Sequence, residues 1–462
     1  FMMQTAVIFV LVSSILPILH SIIKFFKGND ITIFDIGLLS VFLYLLFIPS
    51  YYYLSGNHYA ESLIMSRTGL DALHIGLLYT YLFYFIDCFF IQSKGFNTSL
   101  FNISHQFRKF HDNFVYIKYK HALILFIFVT LHLMAVVFIE NKDGRDLTDT
   151  NVENIFTKES TIQERINDKL KTIYGVFFIP TLIGCISIVK SSKNQKLRNV
   201  VKILFLMICL CCLLGSRTDM VATLIFAFLF LYSINRRKLK IIDAFKVICI
   251  MALIFGLFFP VYQVFRLARE SQLSFNSDVS LVSVIQETIN NIDKLGAFAD
   301  SQSQTSARSL NVYQAITICL NNDTYSGWVM EKSLTNILPG FQTLGSNVEY
   351  VLAAKYAHSG ADIADSNLLY GLADFGFLGI FTSSIYYIIP MILYSIFNRL
   401  FRNYNYCGFI TLYLVSLLFR QMFNMECAPY WQVKNIFYVV LIGLIGNAII
   451  FRLFNNGKII KI

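Results

Sequence analysis

The sequence predicts an all-α polytopic membrane protein with about eleven transmembrane helices and one large external loop. Three observations predict it. The chain is 56% hydrophobic and only 14% charged, with a mean hydropathy of +0.59, where a soluble protein is about one quarter charged. Its apolar runs approach the ~20 residues that a helix needs to cross a hydrocarbon layer about 30 Å thick. Its lysines and arginines cluster in alternate loops.

The spans are expected near 4–24, 31–54, 72–92, 121–140, 173–190, 199–215, 218–235, 243–264, 369–397, 408–423 and 436–453. The first has neither a basic leading region nor a small-residue cleavage site, so it reads as a retained helix. Spans 1–8 occupy residues 1–264, the external loop 265–368, and the last three helices 369–462.

A net charge of +10 raises the question of nucleic acid, but its distribution excludes that reading. Lys24 and Lys27, then Lys94, Arg108, Lys109, Lys118 and Lys120, then Lys190, Lys193, Lys196, Arg198 and Lys202 fall in every second loop. Arg236, Arg237, Lys238 and Lys240, Arg399 and Arg402, and Arg452, Lys458 and Lys461 continue the series. The loops between are neutral or acidic, as in 140–172 with Asp143, Asp146, Asp149, Glu153 and Glu159. The positive-inside rule then places the N-terminus outside and the C-terminus inside.

Cys88, Cys185, Cys209, Cys211, Cys212 and Cys249 fall within spans, where cysteine acts as a small apolar residue. Cys319 and Cys427 are expected outside, either as thiols or as one disulfide; the one C-x-x-C spacing, Cys209 to Cys212, lies within a span, so no metal and no cofactor is expected. No internal repeat is visible, which weighs against a transporter built of two related halves. Residues 101–117 place Phe107, Phe110, Phe114 and Ile117 at helical spacing and predict a helix lying on the inner membrane surface. A short helix is expected around 160–171, and Leu281, Val284, Ile285, Ile289, Ile292 and Leu295 predict an amphipathic helix over 280–296.

From Asn311 to Tyr370 the external loop is rich in Tyr, Asn, Ser, Gly and Asp, a composition that suits sugar binding and equally an ordinary surface loop. Arg217 sits in a tight outer hairpin, Gly215-Ser216-Arg217-Thr218-Asp219. Arg266 and Arg269 share one helical face beyond the eighth span, and Arg420 lies near the outer end of the tenth. Arginine offers a planar fork of donors suited to phosphate oxygens and stays charged. Two kinds of partner fit such arginines: a structural one, either a carboxylate among Asp219, Glu270, Asp374 and Glu426 or outer-leaflet phosphates reached by snorkelling, or a pyrophosphate on a lipid carrier.

His358, Asp362 and Asp365 precede the ninth span and are candidates for a general base; Asp374, one turn inside it, is expected to pair with an arginine. Asp35, Asp87, His20, His121 and His132 read as helix-packing groups rather than a proton relay. Tyr325, Trp328, Tyr350, Tyr356, Tyr430 and Trp431 either stack on sugar rings or form an interfacial aromatic belt, the belt being favoured for the last two.

Over about 200–385 the chain resembles the Wzy-type oligosaccharide repeat-unit polymerases of bacterial O-antigen and capsule. The resemblance rests on Gly215-Ser216-Arg217, on Val261-Tyr262-Gln263-Val264-Phe265-Arg266-Leu267-Ala268-Arg269, and on Ile337-Leu338-Pro339-Gly340. It ends with Asn367-Leu368-Leu369-Tyr370-Gly371-Leu372-Ala373-Asp374-Phe375-Gly376-Phe377-Leu378-Gly379. It implies a GT-C-like body in the bacterial cytoplasmic membrane and inverting-type, metal-independent glycosyl transfer at the outer face. The substrates it implies are two undecaprenyl-pyrophosphate-linked glycans, a donor and an acceptor. Arg217, Arg266 and Arg269, with Arg420, Tyr325 and Tyr370, would bind substrate, and His358 or Asp365 would serve the acceptor hydroxyl. Membrane lipids and a chain-length regulator are the further partners implied. An O-antigen ligase shares this logic, whereas a flippase would carry shorter loops.

Overall fold

The computed structural model describes residues 2–91, 102–114, 181–214, 217–235, 308–335 and 366–384, with isolated helical positions at 127, 130, 131, 352, 415, 416, 419 and 422. Among them the elements are all helices, joined by turns, with a lone bridge between Thr32 and Asn102.

Among the described residues, three helices are long and apolar enough to cross a membrane: Met2–Lys27, Ile33–Leu54 and Gly69–Phe89. They match the first three expected spans. The first is two segments in line, α1 (Met2–Ser13) and α2 (Ile15–Lys27). Pro17 explains the break, because it has no N–H to give to the carbonyl of Ser13. The hydroxyl of Tyr81, on the third span, donates to that carbonyl at 2.8 Å. The second span is α3 (Ile33–Val41), a π-helical turn at Phe42–Phe47, and α4 (Ile48–Leu54). The short helix α5 (His58–Ile64) follows, and then α6 (Gly69–Phe85), which runs into a second π turn at Ile86–Ile91.

Connecting segments sort onto two opposite faces. On the basic-loop face, α7 (Ile103–Phe114) packs beside the 28–32 turn, the end of α8 (Thr181–Ser191) and the end of α10 (Arg217–Asn235). Ser233 Oγ lies 3.0 Å from Ser104 Oγ, Ser104 Oγ accepts the N–H of Ile31 at 3.0 Å, and Lys190 donates to Asn235. The helix α9 (Gln195–Leu214) starts from a turn in which the Asn194 side chain accepts the N–H of Lys196 at 3.0 Å.

The helix expected at 101–117 turns out to face protein rather than lipid. Ile103, Phe107 and Phe110 are buried, and Phe107 meets Phe226 and Phe230 edge-on at 4.8 and 5.3 Å. Its apolar stripe is therefore a contact with α10; the period was correct, and the surface it meets is another helix.

On the opposite face α11 (Arg308–Leu320) is embedded against the second and third spans. Val312, Tyr313, Ile316 and Cys319 are buried, Tyr313 donates to the carbonyl of Gly69, and Thr68 donates to that of Thr317 at 2.9 Å. This part of the expected external loop is packed core, and Cys319 is present there as a thiol rather than in a disulfide. The ninth span was expected as one helix over 369–397. Within its described part, α13 (Asn367–Phe375) stops at Gly376, a single 3-10 turn follows, and α14 (Gly379–Thr382) begins. Gly371 and Gly379 cross so closely that a Cβ on Gly371 would lie 2.4 Å from the Gly379 carbonyl oxygen. The expected spans near 121–140, 243–264, 408–423 and 436–453 fall wholly or largely outside the described residues, as do the helices expected at 160–171 and 280–296.

Candidate functional site

The face opposite the basic loops holds a reciprocal backbone clasp. Ser366 is extended and accepts the N–H of Leu369 on its hydroxyl at 3.0 Å, which starts α13. At the other end, the carbonyls of Ala373 and Asp374 have no helical partners of their own. The N–H groups of Tyr325 and Ser326 donate to them at 2.8 and 3.0 Å. In return, the Asp374 carboxylate accepts the N–H of Val329 on Oδ1 at 2.8 Å and that of Met330 on Oδ2 at 2.7 Å. Those are the first amides of α12 (Trp328–Thr335). Each segment caps the other. The turn needs left-handed backbone at Ser326 (φ 53), Gly327 (φ 94) and Gly376 (φ 56), and glycine supplies it at two of the three.

The arginines expected to pair with Asp374 fall on positions whose side chains lie outside those described; among the described residues its carboxylate meets backbone amides. Asp374 is buried, and each carboxylate oxygen accepts an amide N–H near the start of a helix, where the partial positive charge favours a carboxylate. The clasp presents Tyr325 and Trp328 as a ring pair, centroids 5.6 Å apart at 34°, both half-buried. Exposed Asn322, Asp323 and Thr324 lead into it.

Of the residues expected to bind substrate, Tyr325 stands at this clasp and Tyr370 lies fully buried on α13, one turn before Asp374. Arg217 is the first residue of α10. Arg266, Arg269, Arg420, His358 and Asp365 lie outside the described residues.

The basic-loop face holds a second cluster that the sequence reading did not assemble. Lys24 Nζ donates to Asp35 Oδ2 and to Asp87 Oδ2, both at 2.7 Å. Ser21 donates to Asp35 Oδ1 at 2.8 Å and Thr32 to Asp87 Oδ1 at 2.7 Å. His20 Nε2 lies 3.4 Å from Asp87 Oδ2. Asp35 also completes a capping box with Thr32 at the start of α3. Lys24 was read as a topology signal in a loop, but it is buried and joins three spans. Lys24 ends the first span, Asp35 begins the second and Asp87 is near the end of the third, so all three share one depth, although shared depth alone does not pair them. The arrangement is a staple whose charges satisfy one another, in keeping with the expected packing role of Asp35, Asp87 and His20.

Beside it, Arg108 donates two hydrogen bonds to Asp30, each 2.7 Å, and Asn102 donates a third at 2.9 Å. Burial opposes ionisation of Asp30, but the hydrogen bonds from Arg108 and Asn102 and the guanidinium charge outweigh it and hold the carboxyl below its ordinary range. This pair lines a cavity of about 390 Å³ with Gly28, Asn29, Ser104, Tyr232 and Ser233. No group of His, Cys, Asp and Glu side chains among the described residues is arranged to hold a metal ion.

The described helices are those of a membrane protein. No protein family, curated protein or solved structure matches the chain.

Proposed function

We propose that the chain is a membrane glycosyltransferase that joins undecaprenyl-pyrophosphate-linked oligosaccharide units into O-antigen or capsular polysaccharide at the outer face of a bacterial cytoplasmic membrane. One observation carries the reading. The segment Asn367–Gly379, which resembles the Wzy-type pattern, is the segment that clasps 325–330 of the expected external stretch onto a membrane helix. Substrate-facing loop and membrane body meet there.

In this reading Arg217, Arg266 and Arg269 hold the donor pyrophosphate, and Arg420 joins them in binding substrate. The bond from the donor's anomeric carbon to the pyrophosphate oxygen breaks as the bond to the acceptor hydroxyl oxygen forms. The hydroxyl proton passes to His358 or Asp365, and the arginines stabilise charge growing on the leaving pyrophosphate. Tyr325 lies on the acceptor side, and Tyr370, buried in α13, supports the clasp by packing. A chain-length regulator would act on this protein from outside the reaction.

Purified protein in lipid, given only lipid-linked repeat units, is expected to yield a ladder of products. Transfer confined to a lipid A core acceptor would assign a ligase. Movement of the units across the bilayer without new glycosidic bonds would assign a flippase, and either result removes the polymerase reading.

A further inference from the structure

Aromatic rings at a membrane protein's rim commonly serve as an interfacial belt, so a ring pair becomes a site only when something holds it for a purpose the belt lacks. Here the holding device is explicit. Four hydrogen bonds from backbone amides, three of them to Asp374 and two of those to its carboxylate, fix the segment on both sides of the Tyr325–Trp328 pair. The cost includes a non-glycine residue, Ser326, in left-handed backbone. A belt needs no such constraint, because interfacial rings work in many orientations. The rings lie 5.6 Å apart and tilted by 34°; they pack against the core on one side and stay partly open on the other, so they present a fixed apolar ledge. Exposed Asn322, whose amide nitrogen donates to the Ile318 carbonyl at 2.7 Å, borders it with Asp323 and Thr324 as a polar rim. An aromatic ledge edged by amide, carboxylate and hydroxyl groups matches a sugar ring, whose C–H face is apolar and whose rim is hydroxyl.

We infer that Tyr325 and Trp328 form a saccharide-binding platform for the acceptor glycan and that Asp374 is the positioning residue that sets it. The inference rests on the glycosyltransferase reading for the identity of the sugar's carrier. The aromatic ledge itself is independent of the arginines that reading places on the pyrophosphate. Asp374 touches no sugar; it acts through the amides of Val329 and Met330.

The chain has two tryptophans, so Trp431→Phe leaves Trp328 as the only indole reporter. In that background, extracted lipid-linked oligosaccharide is titrated against the reconstituted full chain while Trp328 emission is followed, and elongation is assayed on the same preparation. Undecaprenyl pyrophosphate without sugar is titrated in parallel. The expected result is a saturable emission change with the oligosaccharide and none with the bare lipid. Tyr325→Ala should weaken the midpoint about tenfold, the equivalent of ~1.4 kcal/mol. Asp374→Ala should weaken it as much and raise the KM for the acceptor. Asp374→Asn, which keeps one acceptor oxygen, should recover part of the loss. A variant that is merely misfolded would lower the active fraction, and so kcat, without moving KM or the midpoint. Equal responses to bare lipid and oligosaccharide would make the rings a belt and overturn the inference. So would elongation with no change in Trp328 emission, or an Asp374→Ala protein with an unchanged midpoint. An emission change without elongation would uphold the platform and sink the polymerase reading instead.

Discussion

The ammonium of Lys24 lies 2.7 Å from Oδ2 of Asp87, a residue 63 positions later in the chain. The same nitrogen reaches Asp35, so one cation answers two carboxylates at the meeting point of three spans. Removing one partner of a buried ion cluster strands the others, which costs about 3–5 kcal/mol, whereas removing all the charges together is far milder. Lys24→Met should therefore lower the thermal midpoint of the reconstituted protein steeply. The Lys24→Met/Asp35→Asn/Asp87→Asn triple variant should recover most of the loss. A triple variant no more stable than the single one would show that the charges do more than answer each other.

Gly371→Ala places a methyl group 2.4 Å from the Gly379 carbonyl oxygen, and Gly379→Ala places one 2.2 Å from the Gly371 carbonyl carbon. Both neighbours are backbone and cannot swing aside. Each substitution is expected to cost at least the ~1–3 kcal/mol of ordinary overpacking. Fluorescence-detected size exclusion should show a reduced folded fraction for both.

Phe107 is fully buried between Phe226 and Phe230. Phe107→Ala is expected to cost about 3–5 kcal/mol. Because α7 and α10 meet through this ring, hydrogen exchange along 103–112 should rise before global unfolding. Unchanged exchange would return the helix to the lipid surface where the sequence reading put it.

His111 connects that helix to pH. Its Nδ1 is buried without a hydrogen-bond partner, and Nε2 lies 3.4 Å from Ser191 Oγ. Burial, with Lys190 nearby and Asp112 opposing, lowers its pKa below the ordinary 6.5. The unfolded chain then takes up this proton first, so stability falls as pH drops through 6.5 and levels off below the folded value. Thermal midpoints measured between about pH 7 and 5 should decline in the wild type and decline less in His111→Gln.

For the proposed reaction, Arg217→Ala and Arg266→Ala should abolish elongation while membrane levels of the protein stay normal. Arg217→Lys should remain impaired, since a point charge does not reproduce the guanidinium fork. Product ladders of wild-type length in either alanine variant would take that residue out of the pyrophosphate site.

The first three spans were legible because length and hydropathy suffice for them, and alternate basic loops correctly grouped 24–32, 102–114, 190–191 and 232–235 on one face. Three-dimensional pairing was not legible. Nothing local marks Lys24 as buried, since its partners lie 11 and 63 positions away. The polar composition of 311–370 hid α11, although its buried positions Val312, Tyr313, Ile316 and Cys319 recur at helical spacing. The break at Gly376 sits in an apolar run that hydropathy reads as continuous. At the site, Tyr325 was placed by composition, while the role of Asp374 required the contact with α12, which no spacing within the chain reveals.

The π turns at Phe42–Phe47 and Ile86–Ile91 each lodge one surplus residue in an otherwise α-helical span. Such a residue acts as a phase shifter: it rotates everything beyond it by about 100° relative to a continuous α-helix. Excising one residue from 42–47 would let the span rewind, swinging Pro49 and Ser50 out of the interior they now occupy. The contact of α4 with α11 would be lost with them. The angular setting of the second span, and of whatever docks on its far end, thus hangs on a single additional residue.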